Sequence, residues 1–165
     1  MISRSLPIRT MFLVAALALG VLGGALSVSA VRIGDDEGCS PGFWKNNTGA
    51  WEEYSPSQTV GSVFEIPAAF GELADDTLLQ ALNYGGGSSD IDKARILLRQ
   101  AVAAVLNAAH EGIGYPYRRD AAPLMIIPSV NAALAGGNTT TMENLKDTLD
   151  AANNLGCPLS ADKAR

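Results

Sequence analysis

The chain has 165 residues, enough for one domain with one sizeable core, and carries 12 Lys and Arg against 17 Asp and Glu, a net charge of −5. That acidic balance argues against a nucleic-acid partner, which demands an excess of Lys and Arg on at least one face. A single histidine excludes a multi-histidine metal centre.

Residues 1–30 read as a signal peptide. Arg4 and Arg9 give a basic start, residues 11–26 are apolar apart from glycines, and Ser27-Val28-Ser29-Ala30 offers small residues for cleavage after Ala30. An uncleaved anchor is the rival reading, since about 20 residues can span a bilayer. Gly20, Gly23 and Gly24 near the end of the run favour cleavage, after which no membrane association is expected. Taking Arg4 and Arg9 away from the 12 basic residues, against 17 acidic ones, leaves a mature net charge of −7. Residues 31–38 form an acidic mature terminus, residues 39–160 a helical domain, and residues 161–165 a tail. In an exported chain two cysteines usually pair, so Cys39 and Cys157 are expected to form one disulfide around almost the whole domain.

The expected class is mainly α: a compact single-domain helical bundle with irregular loops. Ser40 can cap a short helix that starts at Pro41, where a missing N–H costs nothing. Asn47-Thr48-Gly49 reads as a turn and residues 59–66 as an irregular packing loop. Asp75 or Asp76 is expected to cap a helix burying Leu78, Leu79 and Leu82, stopped at Tyr84-Gly85-Gly86-Gly87. Ser89 or Asp90 then starts the longest helix, from about Ile91 to His110. Its Ile91, Ala94, Leu98, Ala101, Val102, Val105 and Ala109 recur at spacings of three and four. Leu124 to Ile127 is an apolar run before Pro128, and residues 130–135 a brief helix stopped by Gly136-Gly137. The last helix carries a capping box, Thr140 with Glu143, and a stripe of Met142, Leu145, Leu149 and Ala152.

The motif Cys39-Ser40-Pro41-Gly42-Phe43-Trp44-Lys45-Asn46, with Trp51 close behind, resembles a domain recurring in secreted, mostly uncharacterised proteins of bacteria and archaea. The likeness extends over Leu97-Leu98-Arg99-Gln100-Ala101-Val102, Leu106-Asn107-Ala108-Ala109-His110, Val130-Asn131-Ala132-Ala133-Leu134 and Asn153-Asn154-Leu155-Gly156-Cys157-Pro158. In such proteins Trp-Lys-Asn is often followed by His, where this chain has Asn47. The resemblance implies an exported compact helical domain and no reaction.

Trp44, Lys45, Asn46, Trp51 and Tyr54 form a candidate binding surface for a glycan or a surface protein, with core packing beside the disulfide the competing role for Trp44. Asn107 and His110, three residues apart at the end of the long helix, form a candidate polar site, with helix capping set against general-base catalysis. No Gly-x-Ser-x-Gly elbow is present, and Gly85-Gly86-Gly87-Ser88-Ser89 lacks the Gly-Lys-Ser/Thr ending of a phosphate loop. Asp35-Asp36-Glu37 and Asp75-Asp76 lack the spacing of a calcium loop. Asn46-Asn47-Thr48 and Asn138-Thr139-Thr140 match the glycosylation sequon. The expectation is a secreted or cell-surface structural or interaction module with no catalytic residues, cofactor or metal. A carbohydrate-binding module built on the exposed aromatics and a small hydrolase using His110 are the alternatives.

Overall fold

The computed structural model describes residues 36–159. The signal peptide, its cleavage point, residues 31–35 and the tail at 161–165 lie outside the described residues. Five α-helices order this part of the chain: α1 (Pro41–Asn46), α2 (Leu78–Ala81), α3 (Asp90–Ala109), α4 (Ile126–Gly136) and α5 (Thr139–Asn153). Short 3-10 turns fill Thr48–Ala50, Val60–Ser62 and Ala68–Leu73. Among the described residues extended pairing is limited to isolated bridges, including Gly38 with Gly156 and Thr59 with Thr77. The fold is therefore helical, and Cys39 and Cys157 are disulfide-bonded across 118 residues.

The long helix is the axis of the fold. Ser89 caps α3 in a reciprocal box with Asp92, satisfying two N–H groups that have no intrahelical acceptor. The three-and-four spacing marks one buried face, yet every residue from Gln100 to Asn107 is buried. A helix covered on all sides needs neighbours all round. Helices α5, α4, α1 and α2 supply them. Ala101, Ala103 and Ala104 keep its surface low, so those helices approach closely, while Leu97, Leu98 and Leu106 fill the gaps. Full burial of each such leucine contributes about 1.5–3 kcal/mol.

Three element boundaries differ from the sequence reading. Thr77, not Asp75 or Asp76, caps α2, in a box with Gln80. Asp76 is engaged elsewhere, its carbonyl accepting from Val60 N–H at 2.8 Å and its carboxylate from the Tyr84 hydroxyl at 2.6 Å. Pro128 does not precede a helix but lies inside the first turn of α4. That turn has no side-chain cap; Ile126 and Ile127 donate instead to the carbonyls of Arg118 and Arg119 at 2.8 and 3.0 Å. Pro128 has no N–H to satisfy, so it fits there without loss. Asn138, rather than Thr140, caps α5, accepting from Thr141 N–H at 3.0 Å. The glycine stop between α4 and α5 is as expected, with Gly137 at φ 61° in the left-handed region.

Candidate functional site

Helix α1 has six residues, too few to stand alone. Its motif residues supply what it lacks. At the N-terminus the Ser40 hydroxyl accepts from Phe43 N–H at 3.2 Å. At the C-terminus the last carbonyls run short of intrahelical donors, and that of Trp44 takes the Asn47 N–H at 3.2 Å. Asn46 Nδ2 donates to Gly42 at 2.8 Å, Asn47 Nδ2 to Phe43 at 2.7 Å, and Trp51 Nε1 to Trp44 at 3.0 Å. Lys45 stands half-exposed in the last turn, where its charge meets the negative end of the helix. Most polar groups of the motif thus serve the motif's own backbone.

The rest of the site is a buried amide cluster. Asn107 on α3 is fully buried, and its side chain uses every donor and acceptor it has. Oδ1 accepts from Cys39 N–H at 2.8 Å and Trp44 Nε1–H at 3.1 Å. Nδ2 donates to the Cys39 carbonyl at 2.8 Å and to Asn153 Oδ1 at 2.9 Å. Asn153 on α5, also fully buried, is satisfied in the same way. Its Oδ1 accepts a second bond from the Tyr115 hydroxyl at 2.8 Å, and its Nδ2 donates to the Gln100 carbonyl and Oε1 at 3.0 and 2.9 Å. Gln100 carries the chain of bonds outward to Asp150 at 2.8 Å. Burial first, and the neighbouring Tyr117 second, push the Tyr115 hydroxyl well above the ordinary tyrosine range, which keeps it a donor.

The chain ends close over this cluster. Gly38 N–H donates to the Gly156 carbonyl at 3.0 Å, beside the disulfide. A Cβ on Gly38 would lie 2.1 Å from the Ala152 carbonyl oxygen, so α5 reaches this place only because residue 38 has no side chain. Glu37 and Gly114 exchange two further bonds, the Glu37 N–H donating at 3.2 Å and its carboxylate accepting at 2.9 Å.

His110 caps α3 but makes no pair with Asn107. Its Nδ1 accepts from Gly112 N–H at 3.0 Å, which places the proton of the neutral ring on Nε2, 3.5 Å from Glu52 Oε1. The ring lies 5.9 Å from that of Trp44. Glu52 also accepts from Glu111 N–H at 2.8 Å, while Glu53, at φ 60° in a tight turn, pairs with Arg119. Arg119 in turn sits 5.9 Å over the Tyr54 ring.

The candidate binding surface therefore divides. Trp44 is fully buried and belongs to the core, because its indole N–H reaches Asn107 only from inside. Trp51 and Tyr54 are half-exposed and Asn46 is exposed. Sequence reasoning missed Gln100, Tyr115 and Asn153 as members of one network with Asn107. The available signal was at Asn153, an amide four residues after Leu149 on the stripe of the last helix, whereas Asn107 lies off the stripe read for the long helix. Among the described residues no three His, Cys, Asp or Glu side chains are placed to hold a metal ion, and no helix is long and apolar enough to cross a membrane. No protein-family model, curated protein or solved structure matches the chain.

Proposed function

We propose that this is a secreted or cell-surface structural or interaction module, in which the tryptophan-rich motif is a clasp and not a reaction centre. The observation that carries this reading is the Asn107 side chain: its four hydrogen bonds bind the Cys39 backbone, Trp44 and Asn153, leaving none for a ligand. The disulfide adds support, since such bonds persist in oxidising compartments. His110 gives no support to the hydrolase alternative, because Nδ1 already accepts from the backbone and a general base needs an uncommitted nitrogen.

One observation favours the carbohydrate alternative: Trp51 is only part-buried and caps the 3-10 turn whose Thr48 and Gly49 are exposed. Melting of the oxidised protein against a polysaccharide panel, followed by tryptophan fluorescence, separates the two. The module reading expects no saturable shift with any glycan. A saturable shift lost in Trp51→Ala but kept in His110→Ala would replace it with the carbohydrate reading.

A further inference from the structure

We infer that Asn138 is an acceptor for an asparagine-linked glycan, and that the fold offers this sequon while withholding the one at Asn46. The inference rests on the exported reading above, because such transfer meets only exported chains. The two sequons, Asn46-Asn47-Thr48 and Asn138-Thr139-Thr140, are equivalent as sequences. Both asparagines are exposed, but their side-chain nitrogens are bonded differently.

The sugar would be carried by the side-chain nitrogen. Asn46 Nδ2 is committed to the Gly42 carbonyl at 2.8 Å, and Asn47 Nδ2 to Phe43 at 2.7 Å. Both residues lie where Trp51 closes on α1 through the Trp44 carbonyl. Presenting this sequon in extended form would break these side-chain bonds and the Asn47 N–H bond to the Trp44 carbonyl, which together close the C-terminal end of α1, whose Trp44 is locked to Asn107. Asn138 lies at the exposed turn between α4 and α5, directly after Gly136-Gly137. Its Oδ1 takes both cap contacts, from Thr141 N–H at 3.0 Å and the Thr141 hydroxyl at 3.3 Å. Among the described residues its Nδ2 makes no hydrogen bond. Thr139 and Thr140 are the first two residues of α5, whose N–H groups have no intrahelical acceptor, so lifting the sequon frays only the first turn, at the cost of bonds to its carbonyls such as Met142 N–H to Asn138 at 3.0 Å. Thr140 is itself exposed.

In the transfer, Asn138 Nδ2 attacks the anomeric carbon of a lipid-pyrophosphate-linked oligosaccharide. The new N–C bond forms as the C–O bond to pyrophosphate breaks. The amide proton passes to a base of the transferase, and the lipid pyrophosphate leaves with the electron pair. Because the glycan sits on Nδ2, Oδ1 remains able to cap α5.

The test uses the full-length oxidised chain, a purified oligosaccharyltransferase that reads Asn-x-Ser/Thr and a lipid-linked oligosaccharide donor, with the reduced, unfolded chain as reference. The expected result on the folded chain is the mass of one glycan, mapped to Asn138 and lost in Thr140→Ala, which removes the sequon but keeps the cap. The unfolded chain should accept at Asn46 as well. An unmodified folded chain, or one modified at Asn46, overturns the inference. Export is read separately, from oxidised, leader-free chain outside the cytoplasm, so either failure can be told from the other.

Discussion

Asn107 donates to Asn153 at 2.9 Å where neither residue has any exposed surface, joining the longest helix to the last one by an amide pair inside the core. Buried polar groups are costly unless fully bonded, and a complete network fixes one arrangement of the helices around it. Here the network also reaches the Cys39 backbone, so the same atoms set the start of the domain against its end.

Close approach at Gly38 should be sharply intolerant. Gly38→Ala places a methyl group against the Ala152 carbonyl and is expected to cost about 2 kcal/mol or more in urea unfolding. Gly49→Ala, with no atom within 4 Å of the new Cβ, should stay within about 0.5 kcal/mol of the parent. Equal effects would contradict the packing described.

Much of this architecture was legible in the sequence, and the exceptions share a cause. The caps at Ser40 and Ser89, the glycine stop at Gly137 and the Cys39–Cys157 pair depend on local chemistry or simple pairing. The α2 cap was misassigned because the Asp76 carboxylate is drawn to Tyr84, eight residues away, leaving Thr77 to cap. Pro128 read as a boundary because the acceptors for Ile126 and Ile127 lie in a loop that folds back from Arg118 and Arg119. Of the candidate site, Trp44 and Asn107 stood out by type. Their bond to each other spans 63 residues and has no local signature.

Removing the disulfide should lower stability substantially. Loop closure over 118 residues predicts a loss of about 4–5 kcal/mol for Cys39→Ser with Cys157→Ser. Because Cys39 also holds Asn107, this change and Asn107→Asp should be non-additive by about 0.5–3 kcal/mol. Strict additivity in a double-mutant cycle would separate the disulfide from the amide network.

Alkaline pH should destabilise the fold through Tyr115. Its folded-state value lies above the ordinary 10.0, raised chiefly by burial, so the folded protein holds a proton that the unfolded chain releases. The contribution is fully present below about pH 10 and declines as pH rises beyond it. Tyr84, raised by burial and then by its bond to Asp76, acts in the same direction. Tyr115→Phe should cost about 1 kcal/mol at neutral pH, through the lost bond to Asn153, and flatten the alkaline decline. Urea unfolding across the alkaline range reads both, and an unchanged pH slope would count against this role.

The most direct measurement is the unfolding free energy of Asn107→Asp in the oxidised protein. The substitution keeps the shape and the Oδ1 acceptor but replaces the Nδ2 donor facing the Cys39 carbonyl and Asn153 Oδ1 with a second oxygen. With each unsatisfied buried partner costing about 1–3 kcal/mol, the clasp account predicts a loss of about 3 kcal/mol or more. A loss below about 0.5 kcal/mol, the range of an ordinary surface substitution, would contradict it.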